Sequence, residues 1–207
     1  MGRILSTQFS VAVVLQTILA INLLLAPGSA QQNVTTWHND NLRTGQNTNE
    51  TTLTPSNLGT QNHSGFGQLC HYGLDGQVYA QPLVMTNVTL NGTTYPSVVY
   101  VVTMRNTLYV FSGAPSNGNC VLIKSLDLNP TQPVQQYPVD CRHIGSTDCK
   151  FLNPYVGVLG TPAIRPVTTV GKLYAVTETQ DVPMDRIART MVRVRFTYSA
   201  LTGSVSS

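Results

Sequence analysis

The chain has 207 residues, with 12 Lys and Arg against 9 Asp and Glu, which gives a formal net charge of +3 at pH 7. This near-balance gives no electrostatic basis for binding nucleic acid or an anionic membrane. Charged residues make up only 10% of the sequence, and Thr, Asn, Gln, Gly and Pro are frequent. That composition favours a turn-rich, exported β protein over a helical one.

The N-terminus has the features of an export signal. A single basic residue, Arg3, precedes a mostly apolar stretch at 11–25, and the small residues Gly28 and Ala30 follow. This pattern predicts a signal peptide over residues 1–30, cleaved after Ala30, and a secreted or periplasmic mature protein without a membrane anchor. The alternative is an uncleaved tether, although the apolar stretch is shorter than the roughly 20 residues that span a bilayer.

Residues 31–66 predict an N-terminal segment without regular structure. The segment is polar, shows no helical spacing of apolar residues and contains an isolated aromatic anchor, Trp37. Beyond it, short apolar runs between glycines predict strands near 67–72 and 78–86. The pair Asn91-Gly92 predicts a hairpin turn, since both residues tolerate positive φ.

Residues 67–128 predict the first blade of a β-propeller. The runs at 98–102 and 108–111 are apolar on successive residues, so both faces of their sheet are expected to be covered. Their connection is too short for a helical crossover, which makes them antiparallel. Residues 119–128 supply a third antiparallel strand. Small antiparallel sheets with both faces covered are typical of stacked propeller blades.

A second, similar region follows an insertion. Residues 129–157 hold four prolines and two cysteines with no strand period, which predicts a disulfide-stapled insertion loop. Residues 158–207 predict a second blade with an atypical, Arg-rich end. The recurring pairs are Pro82 and Pro162, Tyr100 and Tyr174, and Thr103 and Thr177. The predicted fold is therefore all-β, a partial β-propeller of about two to three antiparallel blades with the N-terminal segment attached.

The end of the chain after Gln180 is unusually rich in arginine, with four arginines at 186–195. Their spacing is too loose for a dense basic block that binds an acidic partner. The favoured interpretations are an ordinary strand and turn at 196–204, and an altered reading frame or truncated gene.

Four cysteines in an exported chain predict two disulfides, for which three pairings are possible. The favoured pairs are Cys70 with Cys120 and Cys141 with Cys149. The alternative is a zinc site that also uses the neighbouring histidines, His71 and His143. Structural zinc sites have cysteines spaced more closely than Cys141 and Cys149, so disulfides are preferred.

The stretch VVYVVTMRNTLYVFSGAPSNG at 98–118 resembles the repeat of quinoprotein-like β-propellers, the pyrroloquinoline-quinone-enzyme repeat. The match is carried by Val99-Tyr100-Val101 and Leu108-Tyr109-Val110, with Gly118 at the final glycine. Arg105-Asn106 stands where the family often has Asp-Gly, and Phe111-Ser112 where it often has Leu-Asp. The stretches at 37–58 and 73–83 resemble the start of a group of exported bacterial propeller proteins. The resemblance covers most of residues 36–180.

The resemblance implies roles for several aromatic residues. In that family an N-terminal segment commonly helps to complete the ring, which implies that Trp37 lies between sheets and Arg43 in a polar junction. Tyr100, Tyr109 and Tyr174 are then structural anchors of the blades.

The quinone chemistry of the family is not predicted for this chain. Alcohol-oxidising members carry adjacent cysteines near the cofactor and a catalytic aspartate supported by calcium, whereas this sequence has no adjacent Cys pair. Pyrroloquinoline quinone and calcium are therefore expected only if the chain is an enzyme remnant. In that alternative Asn39, Asp40 and Asn41 offer oxygen donors to calcium. No cofactor is predicted otherwise.

The sequence contains no recognisable catalytic constellation. It lacks a nucleophile elbow, a Walker loop, an HExxH motif and a Rossmann fingerprint. The histidines lie in polar or loop contexts without a paired carboxylate: His38, His63, His71 and His143. The preferred function is an exported, non-catalytic propeller scaffold or binding module for an unknown ligand, as a fragment of a longer protein. The alternatives are part of a quinone-dependent dehydrogenase, and a short-form subunit that self-associates into a ring through open blade edges.

Overall fold

The computed structural model describes residues 33–48, 50, 53–54, 67–130, 135–144, 152, 154–165, 170–181, 187–197 and 200–205. This part of the chain is all-β, as predicted: it contains ten strands and a single 3-10 helix at Cys141–Ile144. The strands form two antiparallel sheets, of four and six strands. The predicted signal peptide at 1–30 lies outside the described residues.

The first sheet is an antiparallel meander of four strands in chain order. Its strands are β1 (Leu83–Leu90), β2 (Thr93–Val102), β3 (Thr107–Ser112) and β4 (Leu122–Asp127). Asn91 and Gly92 form the predicted turn between β1 and β2, with positive φ values of 51° and 78°. Asn106, at φ 60°, bends the chain between β2 and β3. Both turns therefore use residues that tolerate a left-handed backbone.

The second sheet contains a similar meander together with two additional strands. The meander consists of β7 (Ala163–Arg165), β8 (Val170–Gln180), β9 (Ile187–Thr197) and β10 (Ala200–Val205), paired antiparallel in that order. The additional strands, β5 (Tyr137–Asp140) and β6 (Tyr155–Val156), extend the sheet from the edge of β8 that β7 also uses. The Arg-rich end is thus β-strand, but it forms two strands, β9 and β10, where one strand followed by a turn was expected at 196–204.

Three local predictions differ from the structure. Residues 67–72 belong to no strand, because the segment lies across one face of the first sheet instead of pairing with an edge strand. Strand β1 begins at Leu83 rather than near residue 78, since Pro82 has no N–H to donate to a neighbouring strand. The predicted loop at 129–157 contains β5 and β6, because residues 137–138 pair with the end of β8.

The internal repeat predicted from the sequence is confirmed by the strand register. In the first sheet the residue after Pro82 pairs with Tyr100, and in the second sheet the residue after Pro162 pairs with Tyr174. The repeated threonines, Thr103 and Thr177, are both fully buried. The two meanders are therefore structurally equivalent at these positions.

The two sheets pack on each other and share one hydrophobic core. In the first sheet the core side chains include Val98, Tyr100 and Val102, and in the second they include Leu173 and Ala175, all at most 2% exposed. Alternate residues of a strand point to opposite faces. Each sheet therefore also has an outer face, which points away from this core.

The sheets bury opposite faces of the repeated unit. We call the face that carries Tyr100 or its equivalent Tyr174 the front, and the face that carries Val99 or its equivalent Leu173 the back. The first sheet buries its front, with Tyr100 at 2% exposure, and the second buries its back, with Leu173 at 0%. Tyr174 lies half-buried on the outer side of the second sheet. The sheets are thus stacked head to tail.

Candidate functional site

The N-terminal segment bridges the two sheets. Val34 exchanges two backbone hydrogen bonds with Val84 of β1, at 2.8 and 2.9 Å. The carbonyl of Thr35 accepts a hydrogen bond of 2.7 Å from the N–H of Ile164 in β7. Val84 and Ile164 each stand two residues after the repeated proline. The segment therefore binds equivalent positions of both sheets.

Residues 36–45 then fold into a compact loop, which we call the N-terminal turn. Arg43 closes it, since one guanidinium nitrogen donates to the hydroxyl of Thr36 and to the carbonyl of Trp37, both at 2.7 Å. The carbonyl of Arg43 lies 3.2 Å from Nδ1 of His38. His38 and Arg43 both have positive φ, 56° and 60°, which bends the chain back on itself.

Trp37 is displayed on the surface rather than enclosed. Its side chain is 48% exposed, and its ring stacks on the imidazole of His38 with the centroids 3.8 Å apart. The guanidinium carbon of Arg43 lies 5.9 Å from the ring centroid. The expectation that Trp37 lies between the sheets is therefore wrong, because residues 33–35 make the contacts with both sheets and the chain turns away after them.

The carboxylate of Asp40 is engaged inside the N-terminal turn. It accepts hydrogen bonds from the N–H of Thr44, at 3.3 Å, and from the Thr44 hydroxyl. The hydroxyl bond is the main cause that lowers the pKa of Asp40 below its usual value. Within the described residues, no group of three or more His, Cys, Asp and Glu side chains is placed to hold a metal ion.

The N-terminal turn is attached to the loops that precede both meanders. The N–H of His38 donates to the side chain of Gln81 at 3.0 Å, and the N–H of Gln81 donates to the hydroxyl of Thr161 at 3.0 Å. Tyr79, two residues before Gln81, is 50% exposed. This junction thus joins three parts of the chain and carries the half-exposed side chains of Trp37 and Tyr79.

A second candidate surface lies on the back face of the first sheet. Cys70 forms the predicted disulfide with Cys120. The bond fastens residues 67–76, which we call the strap, across this face. The ring of Tyr72 in the strap lies 5.1 Å from the ring of Phe111 in β3.

An apolar pocket of about 230 Å³ lies between the strap and the back face of the first sheet. Leu69, Tyr72 and Leu74 of the strap line one side, and Val99 and Phe111 of the sheet line the other. None of the residues that line the pocket is charged. Such a pocket suits an apolar or aromatic group rather than an ion.

Polar contacts fix the turn between β2 and β3. The carboxylate of Asp75, in the strap, accepts hydrogen bonds from the hydroxyls of Thr103 and Thr107 at 2.8 and 2.5 Å. Asn106 is fully buried and donates to the carbonyl of Glu178 in β8 at 3.0 Å. The bond from Asn106 ties the turn of the first sheet to the second sheet.

Sequence reasoning missed Asp75 and Asn106 as contributors to the site. Their partners Thr103 and Glu178 are 28 and 72 residues distant in the chain, so no local pattern brings them together. The one available signal was Asn106 itself, because Asn in a short hairpin turn is typical of a left-handed backbone.

The three tyrosines expected to be anchors occupy different places. Tyr100 lies in the shared core, where burial raises its pKa far above the usual value. Tyr109 lies half-buried on the back of the first sheet, where burial, followed by the charge of Asp75, raises its pKa. Tyr174 lies half-buried on the front of the second sheet. Of the three, Tyr100 alone belongs to the shared core.

Of the remaining cysteines and histidines, those in the described part of the chain do not extend the site. Cys141 is buried and disulfide-bonded, and its predicted partner, Cys149, lies outside the described residues. Nδ1 of His143 lies 3.1 Å from the side-chain oxygen of the last residue of β8. His71 is exposed in the strap, and His63 lies outside the described residues.

Comparison with known proteins gives no relative: no family model, no curated protein and no solved structure matches the chain. In the described part of the chain, no helix is long and apolar enough to cross a membrane. Functional inference therefore depends on the stacked sheets, the N-terminal turn and the strap.

Proposed function

We propose that this chain is an exported, non-catalytic β-propeller scaffold or binding module, whose two blades are the two four-stranded meanders. The observation that carries the proposal is the head-to-tail stacking of equivalent sheets. Tyr100 on the front of the first sheet is buried, while its equivalent Tyr174 lies on the outer side of the second.

Head-to-tail stacking is the packing that propeller blades require. Blades are repeated antiparallel sheets arranged around an axis. Repeats related by such a rotation bury the front of one sheet against the back of the next, and contacts of this kind build rings when the rotation closes. A twofold axis between the sheets would instead bury the same face of both. The buried faces of this chain favour the rotation.

Export is supported by the disulfide chemistry. Cys70 and Cys120 are bonded to each other, and Cys141 is also disulfide-bonded. Such bonds persist in oxidising compartments outside the cytosol. They agree with the export signal that the sequence predicts at residues 1–30.

The N-terminal turn is the surface where this scaffold would hold a ligand. Trp37 and Tyr79 are both about half exposed, at 48% and 50%, in two segments that the hydrogen bond from His38 to Gln81 holds together. Flat aromatic faces next to hydrogen-bonding groups suit an uncharged, polyhydroxylated ligand such as an oligosaccharide.

Trp37 makes binding at this surface measurable, because it is the only tryptophan of the chain. The purified chain would be titrated with a neutral hexasaccharide and, separately, with pyrroloquinoline quinone and calcium, while the tryptophan emission is followed. The proposal predicts a saturable change with the oligosaccharide that Tyr79→Ala weakens, and no change with the quinone. Quenching by the quinone together with a new visible absorbance would support the enzyme alternative. An emission that no oligosaccharide alters would refute the ligand surface.

Neighbouring residues of β8 test the scaffold itself. Ala175 is 2% exposed in the shared core, whereas Val176 is 48% exposed on the outer side. Ala175→Asp buries an unpaired charge and is expected to unfold the chain or to cost several kcal/mol. Val176→Asp is expected to change the free energy of unfolding by no more than about 0.5 kcal/mol. Denaturant titration that gives the opposite order would contradict the stacking.

A further inference from the structure

We infer that the apolar pocket under the strap binds a small, uncharged aromatic molecule. None of the residues that line this pocket belongs to the N-terminal turn, so it is a second binding site. The pocket lies on the back of the first sheet, whereas the first sheet meets the second through its front. The site therefore needs only the first sheet and the strap, whether or not the two sheets are propeller blades.

One wall of the pocket is a cross-strand pair on the back of the first sheet. Val99 of β2 and Phe111 of β3 are partners in the strand register, and both line the pocket. The pairing of β3 with β4 is irregular here, because its register shifts between Val110 and Phe111. Bulges are frequent next to active sites, where they redirect a side chain. Phe111 is only 8% exposed, so the sheet supplies a fixed aromatic surface.

The strap forms the opposite wall and is held there by the disulfide. Cys70 and Cys120 both line the pocket, so the bond between them is part of the wall. Tyr72 of the strap meets Phe111 edge to face, with the ring centroids 5.1 Å apart and an interplanar angle of 66°. Aromatic rings prefer this arrangement. An aromatic ligand in the pocket can therefore contact a ring of each wall.

The polar groups of the lining residues are bonded within the chain. The hydroxyl of Ser112 donates to the carbonyl of Ala114 at 3.1 Å and accepts from its N–H at 3.2 Å. The N–H groups of Ser112 and Gly113 donate to the carbonyls of Val121 and Ser97, at 2.9 and 2.8 Å. A charged ligand would lose its hydration beside these uncharged, mostly apolar residues, which costs free energy. The pocket therefore favours an uncharged ligand.

The volume of the pocket sets the size of the ligand. The pocket has a volume of about 230 Å³. An apolar cavity of about 150 Å³ already accommodates benzene, so there is room for one aromatic ring with a small substituent. Leu69 and Tyr72, which line the pocket, are 69% and 43% exposed, so the pocket borders on solvent. Benzyl alcohol is a probe of this size and class.

The first test compares benzyl alcohol with benzoate, which is similar in size but charged, by NMR of the methyl groups of Val99 and Leu74. Both residues line the pocket. Benzyl alcohol is expected to shift these signals saturably, with a Kd of about 1 mM for so small a ligand. Benzoate is expected to bind at least about tenfold more weakly. Val176, on the outer side of the second sheet, is the internal control whose signals should not move.

The second test fills the pocket from within. Val99→Trp places a large side chain in the space that the ligand would occupy, and is expected to raise the Kd for benzyl alcohol at least about tenfold. The shared core lies on the other face of the sheet, so this change spares it. Val78→Trp is the matched control, because Val78 is 39% exposed and does not line the pocket. The control variant is expected to bind like the unaltered chain.

Three results would overturn the inference. They are methyl signals of Val99 and Leu74 that benzyl alcohol leaves unmoved up to about 10 mM, benzoate that binds as tightly, and a folded Val99→Trp chain with an unchanged Kd. If circular dichroism shows Val99→Trp unfolded, the comparison of the two ligands on the unaltered chain decides alone. The emission of Trp37 with the hexasaccharide reports on the other surface, so either site can fail without the other.

Discussion

The first and second sheets carry equivalent meanders in the same strand register, yet their repeated tyrosines have different surroundings. Tyr100 is 2% exposed in the shared core, whereas Tyr174 lies half-buried on the outer side. The local sequence around both tyrosines is similar, and both pair with the residue after a proline. The front of the first sheet lies in the shared core, whereas the front of the second, where Lys172 stands at the place of Val98, faces outward.

The largest expected effect comes from removing each tyrosine in turn. Tyr100→Ala leaves a cavity in the shared core and is expected to lower the free energy of unfolding by about 3–5 kcal/mol. Tyr174→Ala removes a half-buried ring on an outer face and is expected to cost less than about 1 kcal/mol. Chemical denaturation of both variants measures the difference. Equal losses would mean that the two tyrosines are equally buried.

An intermediate effect is expected at Gly157, which follows β6 and lies against the hairpin turn of the first sheet. A Cβ at this position would clash with the side chain of Asn106 and with the carbonyl of Met104. Gly157→Ala is therefore expected to cost about 1–3 kcal/mol through overpacking. Gly160→Ala is the matched control, because a Cβ there meets nothing within 4 Å. If both glycines tolerate alanine equally, the two sheets do not meet closely at this turn.

The smallest expected effect concerns β5. Within the described residues, this additional strand has no equivalent in the first sheet. Asp140 at its end accepts two hydrogen bonds from the guanidinium of Arg142, at 2.9 and 2.5 Å. These bonds hold the pKa of Asp140 below its ordinary value of 3.8. The pair therefore adds stability above that value, and the contribution is lost as the pH falls through the lowered pKa of the folded state.

The Arg142 side chain is 71% exposed, so solvent screening keeps the contribution of the pair small. Asp140→Asn and Arg142→Gln should each lower the stability measured at pH 7, and each should flatten its decline between pH 4 and pH 2 by a similar amount. If stability declines as steeply in both variants as in the unaltered chain, other carboxylates cause the decline.

The strands of both meanders were largely predictable from the sequence, for local reasons. The apolar runs at 98–102 and 108–111 lie within β2 and β3, and Asn91-Gly92 forms the expected turn. Each of these features depends on residues that are close in the chain. The strap was expected to contain a strand at 67–72. The same pattern of apolar residues suits a segment that pairs with an edge strand and one that lies across a face of the sheet.

The candidate site was less predictable than the fold. Trp37 was expected between the sheets and Arg43 in a polar junction, but the display of the Trp37 ring depends on where residues 33–35 bind the sheets. The pocket requires the strap, the disulfide and β3 to meet, and the sequence indicated only the disulfide. The pairing of Asn106 with Glu178 spans 72 residues and leaves no local pattern. Contacts between distant segments, rather than motifs, build this surface.

The head-to-tail stacking is tested most directly by hydroxyl-radical footprinting of the repeated tyrosines, read by mass spectrometry. In the folded chain Tyr174 should be oxidised readily and Tyr100 should be protected until denaturant unfolds the core. The ratio of their labelling rates compares the two sheets within one molecule. Tyr100 labelled as fast as Tyr174, or Tyr174 protected as strongly as Tyr100, would contradict the stacking of these two sheets.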